Sequence, residues 1–568
     1  MVFNTRSTLA RHPLFTVQVE RLSADERVAL TYKRAKLLLQ THNLSALDVQ
    51  HCSERFWRFY TDPVLSYDIG TFTLLLAHVG LAIGTLSRHL EARPDFRSLV
   101  EDFLRFDKVG LFMLTERGHG TDSFNIETTA TCIADGGYIL HTPREEASKF
   151  MPSSSPIFGI PKVALVMARL LENGNDLGCR YFVVPICNEK EMFRGITSIR
   201  LPPRSGTSPM DNCITYFNHV RLPPTALVSS TPFQIAAPSN PLAAWWDENW
   251  RIQLGTLLVA GPLLHGIKIS AYIAAVYSMN RCITDRQNVR RPIFDFRTQQ
   301  WPIASAVAVS LVYEIWYAEV IRESSNLDVP RPIRHAMAVI AKTTIVKSFL
   351  RITPELVERL GAQGTFETNF IARMQNDGVG GAIGEGELMG LCIRLLSELL
   401  LGRYTINLPP PHESLLSRHA HSLLDENKRL LSQLGGHRDT QFNSIILPQS
   451  QIVVEAMGHA LAYSAARKAK LAQPLLDMFE CAVIRRDSAW YSEVGDLSRL
   501  DQRMREAKAI ESMLPDMKTY LSNLNVEDLV DSIPISSDEN WKRYAAGLTA
   551  HSGNAASEEK VVNVMARL

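Results

Sequence analysis

The sequence predicts a mainly α-helical protein with a central, mainly antiparallel β domain, in the order helical, β, helical, helical. Three observations carry this. Residues 1–105 are rich in helix formers with apolar positions at helical spacing, residues 106–232 break into short apolar runs separated by turn residues, and helical spacing returns after 233 almost to the end. A chain of 568 residues also exceeds what one hydrophobic core usually organises, so a length prior gives roughly three or four domains. The expected division is 1–105 helical, 106–232 β, 233–410 a helical bundle and 411–568 a further helical domain.

In the first region the uncharged run IGTFTLLLAHVGLAIGTL, Ile69 to Leu86, has a four-residue glycine spacing and contains His78. Its short length predicts a buried helix rather than a membrane span. In the β region TTATCIA and YILH flank Asp135-Gly136-Gly137, a hairpin signal because glycine supplies the positive φ angles of a tight connection. KVALVMARLL and CRYFVVPI form a second pair across the polar ENGNDLG. NCITYF, a turn at Asn218-His219, and VRLP close the domain near Pro224. Ser229 to Pro241 is a Pro/Ser-rich connection. Beyond it, Thr353 as cap, Pro354 at the first helical position and Gly361 past the last turn predict a short helix. Leu388 to Leu401 is a second helix with Leu388, Leu391, Leu395 and Leu399 on one face, and Asn407 to Ser414 reads as a linker.

With 60 basic against 59 acidic residues the net charge is +1, which gives no overall pull toward nucleic acid or an anionic membrane. The eight cysteines are scattered, without a CxxC pair or the spacing of a zinc site, so no metal centre is expected and the thiols read as packing in a reducing compartment. The start, MVFNTRSTLARHPL, lacks the apolar core of a signal peptide. The final Ala566-Arg567-Leu568 resembles the SKL class of peroxisomal import tripeptides, giving peroxisomal localisation as the expectation and cytoplasmic as the alternative.

The segment most suggestive of chemistry is TERGHGTD, Thr115 to Asp122. Alone it is a weak signal, without the GxGxxG of a dinucleotide fold or the lysine of a P-loop. His119 is open to two readings, a general base or a residue of a glycine-bent turn, and the turn is the commoner case.

With its sequel, TERGHGTDSFNIETTATCIADGGYILHTP resembles the start of the β domain of acyl-CoA oxidases and, more distantly, the TEPGAGSD loop of acyl-CoA dehydrogenases. Thr115 to Thr121 matches the family's TE-x-GHGT loop, Glu127 to Thr131 its ETTATY strand and Tyr138 to Pro143 its F-I-L-N-S-P strand. VALVMARL, CRYFVVPI, DNCITYFNHVRLPPTAL and FDFRTQQW resemble later family segments, so the likeness spans about residues 60 to 405. It implies the dehydrogenase/oxidase architecture, with a helical domain, a β-barrel-like domain, a helical bundle and an extra C-terminal bundle. It further implies FAD held between the β domain and the following helices, usually across a homodimer interface.

The resemblance assigns roles residue by residue. Thr115 matches a cofactor-contacting threonine and Thr121 a small hydroxyl residue near the phosphates, with Gly120 letting backbone approach the ring or phosphate closely. The family's K-W-W-P-G-G reads Lys149-Phe150-Met151-Pro152-Ser153-Ser154 here: Ser153 matches a cofactor-contacting glycine, and both tryptophans and both glycines are replaced. Arg281, in YSMNRCIT, matches an arginine that reaches the partner subunit's FAD diphosphate and reads equally as a surface arginine of the basic run Arg281 to Arg291; Gly361 lies in the turn LGAQG that matches C-G-G-x-G. Glu385 in GEGE matches the catalytic glutamate of Y-E-G-D, with Gly384 in place of tyrosine. Read from pattern, Glu385 and Glu387 also suit the positive end of the helix that follows.

The implied chemistry is α,β-desaturation of an acyl-CoA thioester, with Glu385 removing the α proton, hydride passing to flavin, and O2 reoxidising it to give H2O2. A buried carboxylate with raised pKa suits that proton transfer. Two alternatives stay open: a dehydrogenase using another electron acceptor, and a non-catalytic member that binds an acyl-CoA or a partner.

Overall fold

The computed structural model describes Phe3 and residues 6–229 and 238–553. Ala566-Arg567-Leu568 and the middle of the Ser229–Pro241 connection lie outside the described residues.

The strands expected between 106 and 232 run from Val109 to Leu222 and form two sheets. The larger has the order β1 (Val109–Met113), β5 (Lys162–Glu172), β2 (Thr129–Cys132), β3 (Tyr138–His141), β9 (Val220–Leu222), with β6 (Asn175–Cys187) on the other edge of β5. The smaller is β4 (Lys149–Phe150), β8 (Cys213–Phe217), β7 (Ile196–Arg200). Both expected hairpins are present: β2 pairs antiparallel with β3 through Gly136 at φ +82, and β5 with β6. Gly137 has no positive φ; its lack of a side chain serves the Leu222 carbonyl, which would stand 2.6 Å from a Cβ. β1 and β2 both lie parallel to β5, at Leu111↔Ala164 and Ala130↔Leu170, so one edge of a long strand carries two short ones. NCITYF and VRLP do not pair with each other. At His219, φ +52, the chain crosses from the smaller sheet to the larger.

Ile69–Ser87 is a continuous helix whose middle, Leu76–Ile83, widens to a π-helix packed against β1. His78 fixes that contact: Gly110 N–H donates to its Nδ1 at 2.8 Å, so the ring is neutral and its Nε2–H donates to the Phe103 carbonyl at 2.9 Å. Ile252–Asn280 and Arg297–Ser325, each 29 residues, are like it long and apolar enough to cross a membrane, and the apolar stretches of the three are 89 %, 94 % and 78 % buried within the protein. Arg331–Arg359 packs on Ala260–Asn280, Arg297–Ser325, Ile371–Ile383 and Ser450–Lys468. The short helix expected from Thr353 is not separate. Pro354 lies inside Arg331–Arg359, and the Thr353 hydroxyl donates back to the Phe349 carbonyl at 2.9 Å instead of capping. Burial on several neighbours outweighs one proline's lost hydrogen bond. Gly361 does end the helix, at φ +58. A small antiparallel ladder, Cys282–Thr284 with Arg290–Pro292, sits among the helices where no strand was expected. All eight cysteines are unpaired, and one continuous buried apolar cluster runs from Phe3 to Ile535 across every expected boundary.

Candidate active site

A cavity of about 480 Å³ opens between the β domain and the helices. Its β-domain wall is Leu114, Thr115, Gly120, Thr121 and Phe150 to Ser153; its helical wall includes Trp245, Thr256 and Glu385, with Leu74 and Ala77 from Ile69–Ser87. Four of the expected cofactor residues and the expected base therefore share one cleft, although 264 positions separate Gly120 from Gly384, the neighbour of the base.

On the β-domain wall two fully buried ion pairs shape the backbone. Lys149 Nζ lies 3.0 Å from Glu116 Oε1 and also donates to the Leu114 carbonyl at 3.2 Å. The Glu116 carboxylate further accepts the N–H groups of Glu127 (2.7 Å) and Thr128 (3.0 Å). TERGHGTD is thus tied at its second residue to KFMPSS and to the next strand. Burial pulls the Lys149 pKa down, and Glu116 opposes the shift. The second pair, Lys162 with Asp211 at 2.7 Å, holds KFMPSS itself: Lys162 Nζ donates to the Ser153 carbonyl at 2.6 Å and to the Tyr32 hydroxyl at 2.8 Å.

The two serines that replace family glycines differ. Ser153 lines the cavity, while the Ser154 hydroxyl is turned away, 2.6 Å from Ser198 Oγ and 2.7 Å from Thr215 Oγ1. His119 does not face the cavity. Its Nε2 meets Glu127 at 2.8 Å, and Glu127 also pairs with Arg144, so the histidine braces the loop. Gly120 has no atom within 4 Å of where a Cβ would stand, so its backbone lies open to a ligand.

The opposite wall carries Glu385 on the turn between helices Ile371–Ile383 and Leu388–Leu400. Glu385 has φ +56 and Gly386 φ +92, a left-handed conformation that costs a side-chain-bearing residue of order 1–3 kcal/mol. That turn lays the carboxylate over Gly255, where a Cβ would stand 2.1 Å from Oε2. Glu385 is half-buried and lines the cavity. Burial raises its pKa from the ordinary 4.5 to about 7, and the Lys342 charge partly opposes the rise. Glu387, the neighbouring carboxylate, caps helix Leu388–Leu400, accepting from Met389 N–H (2.9 Å) and Gly390 N–H (2.8 Å). The helix-capping reading of the pair therefore fits Glu387, and Glu385 is the one left free.

Arg281 and Gly361 are exposed at the end of the helical bundle and do not line the cavity. Sequence reading missed Lys342, Gly255 and the two buried pairs. The one available signal for Lys342 was a lysine inside the apolar helical stretch AVIAKTTIV.

No family model matches the chain. Acyl-coenzyme A oxidase acox-1.1 of Caenorhabditis elegans is 25 % identical over 319 residues, 52 % of this chain and 46 % of the relative. The chain thus spans about half the length of the curated relative it matches. Acyl-CoA oxidase 3 of Yarrowia lipolytica superposes with a TM-score of 0.81 at 16 % identity, covering 98 % of this chain and 90 % of that one. Acyl-CoA oxidase-1 of C. elegans, solved with FAD and ATP, gives 0.76 at 17 %, covering 98 % and 92 %. The chain therefore has the fold of the solved acyl-CoA oxidases and is similar in sequence to curated members of that family.

Proposed function

We propose that the cleft is the active site of an FAD-dependent acyl-CoA oxidase. The observation that carries this is Glu385, whose pKa is raised to about 7 and which faces the Thr115–Thr121 loop across one cavity; Glu387 lines the same cavity, but its oxygens are occupied by the helix start. The residues present fit the cofactor: Gly120 leaves open backbone, Thr115, Thr121 and Ser153 bring polar groups to the same wall, and Ser154, turned inward, leaves the cleft clear. Thr115, Gly120, Thr121 and Ser153 would hold the flavin. FAD, when bound, supplies the hydride acceptor that molecular oxygen can reoxidise to give peroxide. Arg281 and Gly361, exposed away from the cleft, suit a role toward the partner subunit in a homodimer rather than toward this chain's own site.

The chain's own contribution is proton transfer. An acyl thioester lying between the walls would place its α carbon under Glu385, whose carboxylate form accepts the α proton; a base pKa near the working pH balances ionisation against driving force. Leu74, Ala77, Leu111 and Trp245 give the slot apolar sides and keep water from the reacting carbons. Purified protein should show a flavin absorbance spectrum and release peroxide with an acyl-CoA panel. Colourless protein that fails to take up added FAD would overturn the reading, and turnover only with an artificial acceptor would move it to a dehydrogenase.

A further inference from the structure

Three lysines are fully buried around the cleft, and the third behaves unlike the other two. Lys149 and Lys162 each find a carboxylate. Lys342, on helix Arg331–Arg359, instead donates to consecutive main-chain carbonyls: Gly384 at 2.5 Å, Gly386 at 2.6 Å and, longer, Glu385 at 3.4 Å. Those are the carbonyls of the left-handed turn that carries the base. The Thr256 hydroxyl adds a fourth donor, to the Glu385 carbonyl at 3.1 Å. A buried ammonium without a carboxylate partner is costly, and the nearest candidate partner, Glu385, is directed over Gly255 into the cavity. Had the two formed an ion pair, the carboxylate would be drawn out of the slot and its basicity lost.

We propose that Lys342 is the positioning residue for the base: its ammonium gathers the carbonyls of residues 384–386, holds Glu385 in its left-handed conformation over the slot, and leaves its own charge uncancelled nearby. Lys342 acts through Glu385 and does not touch the substrate. The inference rests on the reading of Glu385 as the base. The charged and titratable groups that face Lys342 are Glu385 and Glu387 from the turn and Cys392 from the following helix. Burial lowers the Lys342 pKa to about 8 against those carboxylates, while its charge restrains the upward shift of Glu385. Removing the ammonium therefore has a signed consequence. Burial would act on Glu385 unopposed, its pKa would rise, and less carboxylate would exist at neutral pH.

The test is an infrared titration of the buried carboxyl band in whole protein, with Glu385→Gln identifying the band, alongside kinetics of Lys342→Met and Lys342→Gln. For Lys342→Met the Glu385 midpoint should rise by about one pH unit or more. In parallel kcat at pH 7 should fall roughly 100-fold while KM stays within about 3-fold. Lys342→Gln keeps two donors without the charge, so it should recover part of kcat at high pH and leave the midpoint raised. A cooperatively folded Lys342→Met with unmoved midpoint and kcat overturns the proposal; if that variant does not fold, an unmoved midpoint in Lys342→Gln does the same. Retained exchange of the substrate α proton in Glu385→Gln would instead overturn the assignment of the base, whatever Lys342 does; the buried Asp377, also raised to about 7, supplies a carboxyl band that is unchanged in that variant.

Discussion

The two walls of the cleft are both built around buried lysine, with opposite electrostatic outcomes. On the β-domain wall Lys149 and Lys162 meet Glu116 and Asp211, and the remaining lone pairs of Glu116 are filled by backbone N–H groups. On the helical wall Lys342 meets only carbonyl oxygens, and the carboxylate of Glu385 is left without a hydrogen-bond donor among the described residues. A carboxylate whose oxygens are filled by donors is tied into the framework, whereas Glu385, buried and without a donor, is raised to about 7 and suited to accept a proton. The difference between framework and chemistry in this cleft lies in the partners of the carboxylates, since both walls use the same residue types.

The comparison is most sharply tested at the two carboxylates. Glu385→Gln, nearly isosteric, should lower kcat roughly 10²–10⁴-fold and abolish exchange of the substrate α proton in deuterium oxide, with little change in melting. In the wild-type protein kcat should fall as pH drops through about 7, because the raised pKa leaves the base protonated below it. Retention of α-proton exchange in Glu385→Gln would break the assignment. Lys149→Met should do the reverse, because removing one partner of a fully buried pair leaves Glu116 charged and unmatched at a cost of about 3–5 kcal/mol. Its signature is a large drop in melting temperature and weakened flavin retention.

Gly255→Ala separates position from stability on the helical wall. The added methyl would stand 2.1 Å from Glu385 Oε2, so the carboxylate must move, and a displacement of about 1 Å costs a positioned base roughly 100-fold in kcat. Alanine also suits a helix interior better than glycine, so the melting temperature should hold or rise. A variant with full kcat would show that the base does not work from this position.

How much of this was legible in the sequence follows from sequence distance. Thr115 to Thr121, Ser153 and Glu385 could be singled out because each sits in a contiguous motif, and the structure brings Thr115, Gly120, Thr121, Ser153 and Glu385 to one cavity; the buried helix over Ile69–Leu86 was legible because its apolar run has no charge to place outside. Lys342 could not be matched to Glu385, since 42 residues and the whole of Ile371–Ile383 intervene and nothing local indicates which carbonyls an ammonium will meet. The same holds for Lys149 with Glu116, which meet across an isolated β-bridge, and for Lys162 with Asp211, 49 positions apart in the chain. Local signals also misled where packing overruled them: Thr353-Pro354 has the form of a helix start but lies inside a helix buried on several sides.

The β-domain side can be sharpened by pH. Burial lowers the His78 pKa from 6.5 to about 4, so the folded protein binds fewer protons than the unfolded chain between those values. The neutral ring's contribution is complete above about 6.5 and is lost as pH falls toward 4. The stability advantage of wild type over His78→Gln, read from urea midpoints, should therefore be about 2 kcal/mol smaller at pH 5 than at pH 7.

The smallest effect is also the one that separates the rival carboxylates. Glu387 is exposed and its oxygens are occupied by the first N–H groups of Leu388–Leu400, so Glu387→Ala removes a cap worth about 1 kcal/mol. The helix start frays, and because that start follows the Glu385 turn directly, a modest fall in kcat should accompany a few degrees' loss in melting temperature. The pH midpoint of kcat, set by burial of Glu385 and the nearby ammonium, should stay near 7, whereas a base at Glu387 would remove the acid limb altogether. Two carboxylates two residues apart, one saturated by a helix start and one starved of donors, thus repeat on a single turn the contrast that divides the two walls.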